Sequence, residues 1–151
     1  MKEKHFPPRL DLGRHFQFVV SHVFEGRATP YQGEGEKLLC FVLPPFQRPP
    51  VWTEKQSIAF IESAVLGLPL GSYCYHSSES DARYPVDPTG RTDGWLIDGQ
   101  QRMRAIDQYL KDAWPVFGLY WSELSPKDRM RFSSVGFEAY ELRDCTEAEL
   151  L

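Results

Sequence analysis

The sequence predicts one small domain that contains both helices and strands, and three observations support this prediction. The chain has 151 residues, which is enough for a single hydrophobic core. Apolar residues make up 42% and aromatic residues 14% of the chain, which excludes a disordered protein. Short apolar runs bounded by proline or glycine are interleaved with segments that carry helix-start signals.

The first 36 residues fit two patterns. Apolar residues between positions 12 and 23 have helical spacing, whereas Phe16 and Phe18 alternate with polar residues as in a strand. We therefore set residues 1–36 apart as an N-terminal extension of unassigned structure. The domain itself is expected to occupy residues 37–151.

The domain begins with a predicted strand, a connector and a helix. Residues 38–43 form a continuous apolar run, which predicts a buried strand that ends at a proline pair. Residues 46–52 are stiffened by two further prolines and predict an extended connector. Thr53 and Gln56 have the spacing of a capping box, which predicts a helix start there, and Gly67 ends the helix.

The remaining elements follow from apolar runs, alternation and capping signals. A polar stretch with two prolines and a glycine, residues 77–93, predicts a long loop. Ser125 followed by Pro126 is a typical helix start. The predicted strands are residues 70–75, 95–97, 114–120 and 137–142, and the predicted helices are residues 100–112 and a short segment from residue 126.

The last residues carry a helix-start signal of their own. Thr146, Glu147 and Glu149 lie in a capping-box pattern, and the sequence ends two residues later. A helix of one turn has no stability alone. We therefore expect the domain to be incomplete at its C-terminal end.

Charge, cysteine content and apolar runs argue against several classes of protein, including secreted, membrane-spanning and strongly basic nucleic-acid-binding proteins. The formal net charge is −4, so no overall basic field attracts nucleic acid, and we expect DNA contact only through a partner or a further C-terminal domain. Cys40, Cys74 and Cys145 are odd in number and far apart, which argues against disulfides and favours reduced thiols in the cytoplasm. The sequence shows neither a signal peptide nor an apolar run of membrane-spanning length, and its histidines lack metal-ligand spacing.

The most informative stretch is Ile-Asp-Gly-Gln-Gln-Arg at residues 97–102, where a predicted strand passes into a predicted helix. The first N–H groups of a helix lack intrahelical partners and lie at the positive end of its dipole, so such a turn suits an anion. The sequence contains neither a P-loop nor a Rossmann glycine fingerprint. A bound nucleotide would therefore need a different cradle, such as this turn.

Three blocks in order give the sequence a family resemblance. They are Phe-Gln-Arg-Pro-Pro-Val-Trp at residues 46–52, Leu-Pro-Leu-Gly-Ser at 68–72, and Asp-Gly-Gln-Gln-Arg at 98–102. Over roughly residues 38–151 the chain resembles the N-terminal domain of GmrSD-type modification-dependent restriction endonucleases, in the ParB/sulfiredoxin-like superfamily. The resemblance implies an α+β domain of that type, with a small mixed sheet and flanking helices. It also implies that the domain binds and hydrolyses a nucleoside triphosphate, an activity coupled to DNA cleavage in anti-phage defence.

The resemblance also carries over site residues. It implies catalytic roles near the scissile phosphate for Asp98 and Gln101, with Asp98 as the candidate ligand of a Mg²⁺ that accompanies the nucleotide. The residues that it assigns to nucleotide binding are Gln47, Arg48, Gly99, Gln100 and Arg102.

The chain departs from the family pattern in two ways. The family often continues with Leu-Thr after the motif arginine, and this chain has Met103 and Arg104 instead, which adds a cation. The relatives commonly carry a C-terminal His-Asn-His nuclease domain that this sequence does not contain. We therefore expect no DNA cleavage by this chain alone.

Each motif residue also has a structural alternative. Asp98 can be the helix N-cap, and Gln101 can be an exposed first-turn amide. Arg102 can be a solvated arginine or a partner of Asp98 or Asp107. Arg48 can be a surface residue that stacks on a tryptophan rather than a phosphate ligand. The four tryptophans are expected to pack in or around the core, with one of them available to stack on a base.

These observations lead to two functional hypotheses of different class. In the first, the domain binds and hydrolyses a nucleoside triphosphate as part of a GmrSD-like restriction or anti-phage defence protein. In the second, it is a nucleotide-gated binding module for DNA or a protein partner, with little or no turnover. A third possibility is a fold remnant in which the motif serves only as a helix cap.

Overall fold

The computed structural model describes residues 5–6, 14–25, 27, 30–45, 49–77, 90–143, 145 and 150. Within these residues the chain forms a four-stranded sheet, a two-stranded hairpin and three α-helices, which confirms the predicted small α+β domain. The strands are β1 Arg14–Val19, β2 Lys37–Leu38, β3 Phe41–Val42, β4 Ser72–Ser77, β5 Leu96–Asp98 and β6 Gly136–Arg143. The helices are α1 Glu54–Val65, α2 Gln100–Leu110 and α3 Pro126–Ser133, with short 3₁₀ turns at Val20–Val23 and Trp121–Glu123.

The larger sheet is mixed, with the order β1-β6-β4-β5. β6 pairs antiparallel with β1 and parallel with β4, and β4 pairs antiparallel with β5. Because Cys74 lies opposite Asp98, the end of β5 is held beside the first residues of β4. This pairing places the turn into α2 next to the block that opens β4.

The segment before residue 36 contributes to this sheet. β1 pairs with β6 along its length, with Phe18 opposite Phe137, so the alternation of Phe16 and Phe18 reflects a strand. Val20 and Val23, in the 3₁₀ turn that follows, are fully buried. These residues therefore share the hydrophobic core of the domain.

Two predicted strands are wrong. The run at residues 38–43 is a hairpin of β2 and β3, because Leu39 adopts a left-handed conformation (φ 53°) and reverses the chain. The segment 114–120 is a tight turn, in which Phe117 (φ 49°) and Gly118 (φ 76°) both have positive φ. In both cases the apolar pattern reports which side chains are buried, and tertiary packing decides the backbone path.

The helix starts match the prediction closely. Thr53 caps α1: the Gln56 N–H donates to Thr53 Oγ1 (3.2 Å) and the Thr53 N–H donates to Gln56 Oε1 (2.8 Å). Ser125 caps α3 by accepting from the Asp128 N–H at 3.2 Å. The predicted strands at 70–75, 95–97 and 137–142 are observed with shifts of one or two residues at their ends. Most of the predicted loop, residues 78–89, and the predicted C-terminal capping box at 146–149 lie outside the described residues.

The core is aromatic and joins the sheet to the helices. The rings of Tyr73 and Phe137 meet edge-on with centroids 4.6 Å apart, and Phe41 of the hairpin packs on Tyr73 at 5.6 Å. Phe60 of α1 contacts Phe137, which anchors that helix to the sheet. No described helix has the length and apolar composition needed to cross a membrane.

Candidate functional site

The turn between β5 and α2 is built on Gly99. This residue is the N-cap of α2 and has φ 107°, a conformation that side chains other than glycine rarely adopt. A Cβ added there would lie 2.8 Å from the Tyr73 Cβ, so the close packing against β4 also requires glycine. Because Gly99 and not Asp98 is the N-cap, the N-cap makes no side-chain hydrogen bond to α2. The alternative role of Asp98 as the helix cap is therefore wrong, and its side chain is exposed at the end of β5.

Gln101 is half-buried and fastens the connector to α2. Its Oε1 accepts a hydrogen bond from the backbone N–H of Trp52 at 3.2 Å. The alternative of an exposed first-turn amide is therefore wrong. Because Trp52 is followed directly by the α1 cap at Thr53, this bond also sets how α1 begins relative to α2.

Arg102 fastens the start of β4 to the same helix. Its Nη1 donates to the Ser72 carbonyl oxygen at 2.7 Å. The guanidinium lies against Gly71, where an added Cβ would be 3.1 Å from Nη2. Asp107 instead pairs with Lys111 at 3.0 Å, so the alternative pairing of Arg102 with Asp107 is wrong.

Two hydrogen bonds thus connect all three sequence blocks. Gln101 links the last block to Trp52 in the first, and Arg102 links it to Ser72 in the second. The blocks are up to 50 residues apart in sequence, yet each contributes a residue to one small region. Neutral hydrogen bonds of this kind contribute about 1 kcal/mol each, and those from a charged donor about twice that.

A cleft of about 470 Å³ opens beside this region. Its floor and walls come from α1, from the segment that leads into β4, and from the first turn of α2. Arg102 is the one charged side chain among its described lining residues. These are Trp52, Gln56, Ala59, Phe60, Ser63, Pro69, Leu70, Gly71 and Arg102.

The structure therefore divides the predicted site residues into three groups. Arg102 lines the cleft. Asp98, Gly99, Gln100 and Gln101 form the adjoining turn and are not part of its lining. Gln47 and Arg48 lie outside the described residues, so the structure tests neither of them.

Comparison with known protein families identifies the domain. Residues 29–148 match the family model described as GmrSD restriction endonuclease, N-terminal domain. The chain belongs to this family. Neither the curated proteins nor the solved structures contain a match. The match confirms the predicted resemblance to this family, and it begins several residues nearer the N-terminus than predicted.

The charge of Asp98 acts on a neighbouring thiol in this GmrSD N-terminal domain. The pKa of Cys74 is raised from 9.0 to about 11, mainly by burial and next by the Asp98 carboxylate, which disfavours a second negative charge. Cys74 therefore stays a neutral thiol at physiological pH. The part of the chain that the structure describes contains no group of three or more His, Cys, Asp or Glu side chains arranged to hold a metal ion.

Several residues of the site did not emerge from sequence reasoning. Trp52 acts through its backbone N–H, and Ser72 through its carbonyl oxygen, so neither role is encoded in side-chain type. Gln56 was predicted only as part of the α1 capping box, yet it also lines the cleft. In the sequence, these residues could have been noticed only because Trp52 and Ser72 lie within the ordered blocks and Gln56 lies close to the first of them.

Proposed function

We propose that this domain binds a nucleoside triphosphate, accompanied by Mg²⁺, as part of a GmrSD-like restriction or anti-phage defence protein. The observation that carries the proposal is the convergence of the three blocks on one cleft with Arg102 in its lining. A cleft of about 470 Å³ is within the range of about 300 to 1,000 Å³ that is typical of small-molecule sites.

The donor set of the cleft suits a nucleotide. Arg102 has five N–H groups, and its bond to Ser72 holds the guanidinium in place while leaving most of them available for phosphate oxygens. Trp52 is half-buried, and its ring packs 5.9 Å from Phe60, which offers an aromatic surface for a nucleobase. Gln56 uses Oε1 in the α1 cap and lines the cleft, so its amide N–H groups are the donors that it can offer to a ligand.

The turn beside the cleft suits the metal and the phosphate chain. Mg²⁺ prefers carboxylate and phosphate oxygens, and Asp98 presents an exposed carboxylate at this point. A bound Mg²⁺ would neutralise phosphate charge. The backbone at Gly99 and Gln100 supplies the positive end of the α2 dipole, and Gln47 and Arg48 complete the proposed nucleotide-binding set.

Hydrolysis is the second part of the proposal, with Asp98 and Gln101 acting near the scissile phosphate. Two observations favour the binding module without turnover as the second candidate function. Neither residue lines the cleft, and the Oε1 of Gln101 already accepts from Trp52. In the module, nucleotide binding gates a contact with DNA or with a protein partner.

Calorimetry and phosphate release separate the two functions. The full chain is titrated with each of the four ribonucleoside triphosphates in the presence of Mg²⁺, and released phosphate is then measured. We expect micromolar binding that Arg102→Gln weakens about ten- to a hundredfold, because charge-assisted bonds are lost. Arg131→Gln, an exposed substitution on α3 with the same charge change, is the matched control and should bind normally.

The variant Asp98→Asn then tests catalysis. If the domain is a hydrolase, this variant binds nucleotide but releases little phosphate. Binding without phosphate release by the unsubstituted chain favours the module. If the chain binds none of the four nucleotides, both functions are contradicted. Circular dichroism of each variant verifies that the fold is retained.

A further inference from the structure

A second cleft lies on the other side of the connector. Successive residues of an α-helix are about 100° apart, so Arg102 and Arg104 project to opposite sides of Gln101. Gln101 holds the connector at Trp52, and Arg102 lines the cleft already described. Arg104 instead lines a separate cleft of about 270 Å³.

The walls of this second cleft are rigid and poor in hydrogen-bond donors. Four of its lining residues are prolines, which have no backbone N–H and a fixed φ. The Leu43 N–H is already used, because it donates to the Glu36 carbonyl oxygen at 2.8 Å. Arg104 is therefore the main side-chain donor among the described residues of the lining. These are Glu36, Leu43, Pro44, Pro45, Pro49, Pro50 and Arg104.

Arg104 has an unsatisfied donor at this position. Its Nε is buried and has no hydrogen-bond partner among the residues that the structure describes. A buried N–H without a partner costs free energy, and this cost is recovered when the guanidinium turns towards an acceptor bound in the cleft. The guanidinium is also a planar fork whose donors match the oxygens of a phosphate group in pairs.

We propose that Arg104 and the four prolines form a second anion site, which binds a phosphate group, either free or carried by an organic ester. The rigid walls hold the cleft open before the ligand arrives, so little conformational entropy is lost on binding. The proposal does not rest on nucleotide binding in the Arg102 cleft, because the two arginines lie on different sides of α2.

Substitution of Glu36 gives a second test of the proposal, in which phosphate binding should change in the opposite direction. Its carboxylate lines the same cleft and is exposed, so its repulsion of an anion is screened by solvent without being abolished. Removing this charge strengthens phosphate binding, whereas removing the charge of Arg104 weakens it. A site of this kind therefore responds in opposite directions to two neighbouring substitutions.

The experiment is a titration of the full chain at constant ionic strength with inorganic phosphate and, separately, with phenyl phosphate. Binding is followed by calorimetry and by the NMR signal of the Arg104 Nε–H group. We expect Arg104→Gln to weaken binding about ten- to a hundredfold. Glu36→Gln should strengthen it by about two- to fivefold, while Arg131→Gln leaves it unchanged. Tighter binding of phenyl phosphate identifies an ester whose ring packs on the prolines, and tighter binding of phosphate identifies the free ion.

Two outcomes overturn the proposal. One is the absence of phosphate binding by the unsubstituted chain, and the other is phosphate binding that Arg104→Gln leaves unchanged. If Arg102→Gln abolishes the binding in this second case, the phosphate occupies the Arg102 cleft and only the second site is contradicted. If Arg104→Gln does not fold, Arg104→Lys retains the charge but loses the Nε donor and the planar fork, and an unweakened affinity in that folded variant contradicts the assignment.

Discussion

The N-termini of α1 and α2 lie side by side and are built in opposite ways. At α1, Thr53 and Gln56 satisfy each other's backbone N–H groups with side-chain oxygens. At α2, the N-cap is Gly99, which has no side chain with which to cap the helix. The carboxylate that precedes it, on Asp98, is exposed instead of folded back onto the helix.

The two helix starts therefore differ in where their side chains form hydrogen bonds: within the first turn of α1, but with other segments of the chain at α2. A side-chain cap stabilises a helix by about 1 kcal/mol and occupies the positive end of its dipole. At α2 the side chains of the first turn are used at a distance: Gln101 reaches Trp52 and Arg102 reaches Ser72. The capping bonds of α1 stay within its own first turn. The first turn of α2 instead connects the connector, the start of β4 and α2 itself.

The largest expected effect is that of Gly99→Ala. The left-handed φ and the 2.8 Å approach to Tyr73 both oppose a Cβ, so we expect the free energy of unfolding to fall by about 2 to 4 kcal/mol. Chemical denaturation of the variant and of the unsubstituted chain measures this change in the free energy of unfolding. Gly67→Ala is the matched control, since Gly67 also has positive φ (76°) but open space around it, and it should cost about 1 kcal/mol. Equal losses at both positions would show that packing against Tyr73 is unimportant.

Loss of the connector bond has the next largest effect. Gln101→Leu leaves the Trp52 N–H without its acceptor, and we expect a loss of about 1 to 2 kcal/mol in unfolding free energy. Gln108→Leu, on an exposed position of the same helix, serves as the control and should be nearly neutral. The tryptophan fluorescence of the folded protein, to which Trp52 contributes, should also change only in the first variant. Equal free energies of unfolding in the two variants would contradict the role of Gln101 in fastening the connector to α2.

The two helix starts can be compared directly by removing a side chain from each. Thr53→Ala deletes the α1 cap and should cost about 1 kcal/mol. Asp98→Ala should change the free energy of unfolding by less than about 0.5 kcal/mol, because Asp98 caps nothing. Thermal or urea denaturation of both variants provides the measurement. A loss in Asp98→Ala as large as that in Thr53→Ala would show that Asp98 caps α2 in solution.

The smallest effect concerns the thiol beside Asp98. The pKa of Cys74 is raised from 9.0 to about 11, so the neutral thiol is favoured in the folded state. The corresponding contribution to stability is present below pH 9 and is lost as the pH rises towards 11. Alkylation of Cys74 by iodoacetamide, followed by mass spectrometry, should be slow at pH 8 and accelerate above pH 10. Asp98→Asn should shift this rise to a slightly lower pH, and an unshifted profile would exclude a charge effect of Asp98.

The predictions that succeeded depend on local interactions. The capping box at Thr53 and the Ser125-Pro126 start involve residues within one turn of each other, so their identity and spacing are sufficient. The strand at Phe16 and Phe18 was one of two local possibilities, and pairing with β6 selected it. The run at residues 38–43 became a hairpin because both arms find buried partners, which no local pattern records.

The sequence by itself determined the family, the α+β character of the domain and the order of the three blocks, because these depend on residue types and spacing along the chain. Tertiary structure decided the rest. It made Gly99 the N-cap of α2 and gave Gln101 and Arg102 backbone partners 49 and 30 residues away, respectively. It also placed Arg104 in a different cleft from Arg102. The physical reason is that a backbone N–H or carbonyl group looks the same at every position in a sequence. Only folding specifies which of these groups a given side chain can reach.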